Sequence, residues 1–113
     1  SEYAIANAKK EVKKYCRVAN AVDLPFDDDS IDVVISITTL HNLEENDLRA
    51  ALLEIERVAK RGSFITLDAY RDDNEKDRME AWNLTAKTVM RVDQWKEFFA
   101  DVGYSGDYHW FIP

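Results

Sequence analysis

Ile31-Asp32-Val33-Val34-Ile35-Ser36-Ile37-Thr38 is a β-branched run of strand length. It is nearly continuously apolar, the pattern of a strand covered on both faces in a parallel sheet. After a loop over residues 39–43, residues 44–60 read as a helix. Leu48, Leu52, Ile55 and Ala59 line one face, with Ala51 and Val58 beside them. Glu44, Glu45 and Asp47 crowd its start and Lys60 and Arg61 its end, as the macrodipole favours. Gly62 stands where a left-handed cap belongs. Residues 63–69 form the next strand, and the pair Asp72 and Glu75 spells a capping box. Met79, Trp82, Ala86 and Val89 give the following helix a face. Trp95, Phe98, Phe99 and Val102 mark another helix, closed by Gly103, and residues 108–112 make a last, aromatic strand. On the N-terminal side, Ile5, Ala8, Val12 and Tyr15 predict an amphipathic helix over residues 3–14, then a short strand over 16–21. Helices alternating with strands across short loops argue an α/β fold with a mostly parallel sheet.

Composition narrows the function. The chain has 113 residues, one modest domain, and its 46% apolar content can form a core. Its 22 acids against 15 bases leave a net charge of −7, and no basic stripe announces nucleic acid or an anionic membrane. Lys9, Lys10, Lys13 and Lys14 are the one dense basic group, and they fit a solvated helix face. No apolar run spans a bilayer. The lone Cys16 rules out an intrachain disulfide and fits a reducing, cytoplasmic setting. The glycines Gly62, Gly103 and Gly106 build no phosphate loop, and no Cys/His spacing suggests a metal.

In parallel sheets ligands sit beyond the carboxyl ends of the strands, which directs attention to three segments. The first, Asn20-Ala21-Val22-Asp23-Leu24-Pro25-Phe26, sets an amide before a Pro-fixed turn. Asn20 suits the edge of a purine or simply caps the loop. In the second, Ser36-Ile37-Thr38-Thr39-Leu40-His41-Asn42-Leu43, His41 is either a general base or a histidine bonded to the loop backbone. The third, Asp68-Ala69-Tyr70-Arg71-Asp72-Asp73, either grips a polar substrate or forms a salt-bridged turn. Trp82, Trp95 and Trp110 read as core or pocket wall.

Together these segments resemble one family. Asn20-Ala21-x-x-Leu24-Pro25-Phe26-x-Asp28-x-Ser30-Ile31-Asp32-Val33-Val34-x-Ser36, followed by Leu40-His41-Asn42-Leu43, is similar to the middle of class I S-adenosylmethionine-dependent methyltransferases of the ubiquinone/menaquinone-methylase-like group. Their pattern runs G-D-A-x-x-L-P-F-x-D-x-S-F-D-x-V-x-S, then L-H-H-L. The stretch from Leu52 through Glu54, Arg57 and Val58 to Gly62 resembles the family's L-x-E-x-x-R-V-L-K-P-G-G. Residues 95–104 resemble its late helix. The match is weakest over 71–91, the family's variable substrate region.

The resemblance implies a partial Rossmann-like methyltransferase sheet in a three-layer α/β/α arrangement, with residues 1–113 forming the C-terminal two-thirds of one domain. The first two strands and the glycine-rich cofactor loop would lie outside it, between the strand at 17–20 and the strand at 31–38 in spatial order. It implies S-adenosyl-L-methionine as cofactor, a small-molecule acceptor, and neither a nucleic-acid nor a membrane partner. Asn20, in place of the family's acid, would meet the adenine amine, and Ala21 would offer its N–H to the ring. Ser36 and Ile37 would lie beside the methionine portion. His41 and then Tyr70 are the candidates for a catalytic base. His41, Tyr70, Arg71 and Trp82 would border the substrate. Two other readings stand beside this one. One is a degenerate methyltransferase-like domain that binds without catalysis. The other is an unrelated flavodoxin-like module, which requires the strands at 17–20 and 31–38 to pair directly.

Overall fold

The computed structural model describes all residues, Ser1–Pro113. In chain order it holds helices α1 (Glu2–Ala6) and α2 (Lys10–Lys13), strand β1 (Ile31–Ile37) and a single 3-10 turn (Leu40–Asn42). Helix α3 (Glu45–Val58), strand β2 (Ala59–Tyr70) and helix α4 (Asp73–Trp82) follow, and β3 (Met90–Arg91), α5 (Val92–Val102) and β4 (Asp107–Phe111) complete it. β2 is the hub of an all-parallel sheet. β1 pairs with it from Ile31↔Ala59 to Ile37↔Thr66, β4 from Phe64↔Asp107 to Asp68↔Phe111, and β3 joins at Ala69 and Tyr70. The fold is therefore α/β with a parallel sheet, consistent with a partial Rossmann-like methyltransferase architecture.

The core lies on one face of that sheet. Leu48, Ala51, Leu52 and Ile55 of α3 and Trp95, Phe98 and Phe99 of α5 close over Ile65, Leu67 and Ala69 of β2. α5 ends as its sequence indicates, on Gly103 in the left-handed region at φ 83°. Its aromatic ridge meets β4: the rings of Trp95 and Phe99 stack on Trp110 at 6.4 and 5.8 Å. Gly106 is required by close approach. A Cβ there would fall 2.0 Å from Ser63 Oγ, whose hydrogen bond to the Tyr104 hydroxyl seals the start of β4.

Several expectations are corrected. The helix over 3–14 is two short pieces with no buried residue. Asn7 Nδ2 donates to the Tyr3 carbonyl and ends the first piece, the local competition that makes Asn a poor interior residue. Residues 17–20 form no strand, and their one ladder contact is an isolated bridge from Asn20 to Asp23. β1 therefore pairs with β2 alone, which removes the flavodoxin-like reading. β1 is not covered on both faces: Val33, Ile35 and Ile37 are 54, 65 and 52% exposed. Gly62 caps nothing. α3 passes straight into β2 through Ala59 in extended backbone, and Gly62 pairs with Val33 inside the strand. The helix after Asp72 stops at Trp82, so Ala86 and Val89 lie beyond it. Half the capping box forms: Asp72 accepts from Glu75 N, but the Glu75 carboxylate turns to the Arg71 N–H instead of the cap. The radius of gyration, 15.1 Å, exceeds the about 13 Å typical of a compact domain this long, because residues 1–20 stand almost entirely off the core.

Candidate active site

The carboxyl ends of β1, β2 and β4 open into one cavity of about 400 Å³, lined by Thr38, His41, Asp68, Trp82, Asn83, Leu84, Thr85 and Phe111. Its floor begins where β1 ends. Thr38 sits at φ 47°, a costly conformation for a β-branched residue. It is held there by its N–H, which donates to the Thr66 hydroxyl at 2.8 Å. That turn swings the chain into the 3-10 turn and buries His41 to 4% exposure. The His41 carbonyl then accepts from the N–H groups of both Lys87 and Thr88. Thr88 Oγ1 donates to the Leu43 carbonyl and Thr85 Oγ1 to Asn42 Oδ1. Residues 83–88 are thereby fastened as a wall of the cavity. Across it the rings of Trp82 and Phe111 meet at 5.4 Å.

Both imidazole nitrogens of His41 face a single residue. Nδ1 accepts from the Asp68 N–H at 3.2 Å, which places the proton of the neutral ring on Nε2, and Nε2 stands 3.5 Å from Asp68 Oδ2. The Asp68 carbonyl accepts from Trp95 Nε1 at 3.1 Å, tying the site to the core. Burial holds His41 below its ordinary pKa, against the pull of the Asp68 charge. Burial likewise raises Asp68 above the usual carboxylate range, with His41 opposing.

A second group of residues shapes the loop that carries Asn20 and Ala21. Glu54 Oε2 accepts from the Leu24 N–H at 2.8 Å. Arg57 donates to the carbonyls of Leu24 and Phe26, to Asp28 and to Glu54. The hydrogen bonds from Arg57 and Leu24 hold the Glu54 carboxyl down to about 2. The L-x-E-x-x-R-V signature of α3 is thus a clamp: one helical turn gathers a loop thirty residues upstream. Within that loop Asn20 Oδ1 accepts from Val22 N at 3.2 Å. It keeps a second lone pair, and the Ala21 N–H makes no hydrogen bond in the chain. Both atoms are free for a purine edge, so the residues present fit the adenine end of the expected cofactor. Ser36 and Ile37 lie at the carboxyl end of β1, Ser36 half-buried and Ile37 exposed.

Of the sequence-predicted substrate residues, the structure brings His41 and Trp82 to the cavity. Tyr70 ends β2 paired with Arg91 and stands outside the lining. Arg71 Nε donates to Glu75 Oε1 at 2.9 Å, so its guanidinium is engaged in the turn before α4. Sequence reasoning took Asp68 only as part of the third segment, either gripping a polar substrate or forming a salt-bridged turn, and gave it no role of its own. It passed over Thr38, Leu84 and Phe111; nothing in their local pattern distinguishes them. No helix is long and apolar enough to cross a membrane.

Residues 1–67 match a family model described as a methyltransferase domain. A tRNA (carboxymethyluridine(34)-5-O)-methyltransferase of Arabidopsis thaliana is 34% identical over 79 residues, 69% of this chain and 19% of that protein. An uncharacterized protein of Haemophilus influenzae is 33% identical over 105 residues, 88% of this chain and 41% of its own length. The chain thus spans less than half of either relative. No solved structure matches. A family model that covers more than half the residues places this chain in the methyltransferase-domain family of class I, S-adenosylmethionine-dependent enzymes.

Proposed function

We propose that the protein to which these residues belong transfers a methyl group from S-adenosyl-L-methionine to a small-molecule acceptor seated in the His41–Asp68 cavity. The observation that carries this reading is the position of that cavity. It lies at the carboxyl edge of a parallel sheet, beside β1, in a chain whose first 67 residues match the methyltransferase domain. The cofactor, when bound, supplies an electrophilic methyl group on sulfonium sulfur. Asn20 and Ala21 would hold its adenine, and Ser36 and Ile37 would border its methionine portion. Trp82 and Phe111 would flank the acceptor, and the contribution of the protein is alignment of the two reactants. In this reading residues 1–113 are the C-terminal two-thirds of one domain. Further chain would cover Val33, Ile35 and Ile37 and pair with the free edge of β1. The exposed free thiol of Cys16 suits the cytoplasm.

A small acceptor is favoured by the cavity's size and by the net charge of −7. The name of the plant relative supports a second reading, in which the acceptor is a base of tRNA. Isothermal calorimetry on the full natural chain tests the first step. Micromolar S-adenosylmethionine binding, weakened at least about tenfold by Asn20→Ala, is expected. A folded chain that binds none overturns the methyl-transfer reading. Radiolabel transfer to bulk tRNA, with none to a metabolite extract, would decide for the second acceptor.

A further inference from the structure

The cavity contains a carboxylate that accepts no hydrogen bond at normal length from the chain, the nearest donor being His41 Nε2 at 3.5 Å. Asp68 is 6% exposed. Its main chain is fixed on both sides, the N–H on His41 Nδ1 and the carbonyl on Trp95 Nε1. Its two carboxylate oxygens accept no hydrogen bond from the protein, and His41 Nε2 stands off at 3.5 Å. No side-chain nitrogen or oxygen of the protein is sealed away without a partner, so these oxygens open on the cavity that Asp68 lines. A carboxylate removed from water and left without a donor is costly, and a ligand that donates to it relieves that cost. A ligand bringing a second negative charge increases it. The neighbouring wall is of another kind: Trp82 and Phe111 form a tilted aromatic pair, and Leu84 is 95% exposed beside them.

We propose that Asp68 is the residue that selects the methyl acceptor: the cavity takes an aromatic or apolar body presenting a hydroxyl or N–H to Asp68, and rejects a carboxylate. The inference rests on the methyl-transfer reading and deepens it. Asp68 accepts the hydrogen bond of the acceptor in the ground state. It takes that proton as the acceptor's lone pair forms the new bond to the methyl carbon and the carbon–sulfur bond breaks, its electron pair going to sulfur. His41, with both nitrogens turned to Asp68, is then a positioning residue and not itself the base.

Phenol and benzoate, alike in ring and opposite in what they offer Asp68, are suitable probes. Each is titrated by calorimetry against the full natural chain at neutral pH, and S-adenosylmethionine is titrated in the same preparations. Phenol is expected to bind at least about tenfold tighter than benzoate, the worth of one charge-assisted hydrogen bond. Asp68→Asn is expected to narrow the ratio by gaining benzoate affinity, a change that misfolding cannot imitate. The inference is overturned by benzoate binding as tightly as phenol, by no saturable phenol binding, or by an unchanged ratio in folded Asp68→Asn. The first of these outcomes needs no variant. Normal S-adenosylmethionine binding with no phenol–benzoate discrimination sinks this inference alone. Discrimination without any S-adenosylmethionine binding sinks the methyl-transfer reading and leaves Asp68 only as the selector of a ligand.

Discussion

The two faces of the β1–β2 sheet are built from the same kinds of side chain and have opposite surroundings. On one, Ile65, Leu67 and Ala69 lie at 0% exposure under α3 and α5. On the other, Val33, Ile35 and Ile37 of β1 stand 54, 65 and 52% exposed, with Phe64 of β2 at 36% beside its register partner Ile35. Near the carboxyl end α4 reaches this second face through the Trp82–Phe111 contact, and there the cavity forms. The difference teaches that hydrophobic patterning reports the environment a strand is made for. β1 reads as doubly covered, yet within these residues only one face is. A row of β-branched side chains this exposed is a contact surface in waiting.

Trp95 is the sharpest probe of the covered face. It is fully buried, packs against Phe98, Phe99 and Trp110, and donates to the Asp68 carbonyl. Trp95→Ala is expected to cost about 3–5 kcal/mol, and it also strips a donor from the cavity floor. Urea unfolding of the full natural chain reads the loss. A cost no greater than that of substitutions at Val33 or Ile35 would abolish the contrast between the faces.

The Glu54–Arg57 clamp comes next, because it joins the covered face to the loop of Asn20 and Ala21. Glu54→Gln is expected to cost about 1–3 kcal/mol, the range for a charge-assisted hydrogen bond lost at a partly buried site. The pH signature is specific. Glu54 has its pKa lowered from 4.5 to about 2 in the fold, so its stabilisation is complete above 4.5 and is lost as pH falls toward 2. Glu54→Gln should remove that segment of the acid limb while leaving the alkaline limb in place. Stability measured between pH 5 and about 2 in both forms checks it; parallel curves would show that the clamp is idle.

Much of the fold was legible in the sequence, for identifiable reasons. α3 and α5 announce themselves because their burial follows the helical period, and β1 because it is a β-branched run of strand length. The left-handed φ at Gly103 was likewise readable. What failed were inferences that depend on a partner. The helix at 3–14 and the strand at 17–20 have apolar spacing but nothing in these residues to pack on. Gly62 looked like a cap because a helix and a glycine adjoin, whereas β2 begins at Ala59 without a turn. At the site, His41 and Trp82 were singled out from position and chemistry, and both line the cavity. Asp68 was not, because its significance lies in a missing donor, and that is a fact of three dimensions. The same holds for the clamp: Glu54 and Arg57 are recognisable as a signature, but their common target at Leu24 is visible only once the loop is folded back.

The smallest expected effect bears most directly on the open face. Ile35→Val removes one methylene from a side chain 65% exposed. At a solvent-facing position such a change stays within about 0.5 kcal/mol. At a packed one it costs about 0.5–1.5 kcal/mol. The proposal that further chain covers β1 requires the packed value, so in the full natural protein Ile35→Val should cost about 1 kcal/mol. Ile65→Val, on the covered face, should cost the same. Matching losses at the two positions would show that the contrast between the faces belongs to these residues taken alone. A loss at Ile65 with none at Ile35 would show that the face stays open in the whole protein. In that case Val33, Ile35 and Ile37 would need a partner from outside the chain.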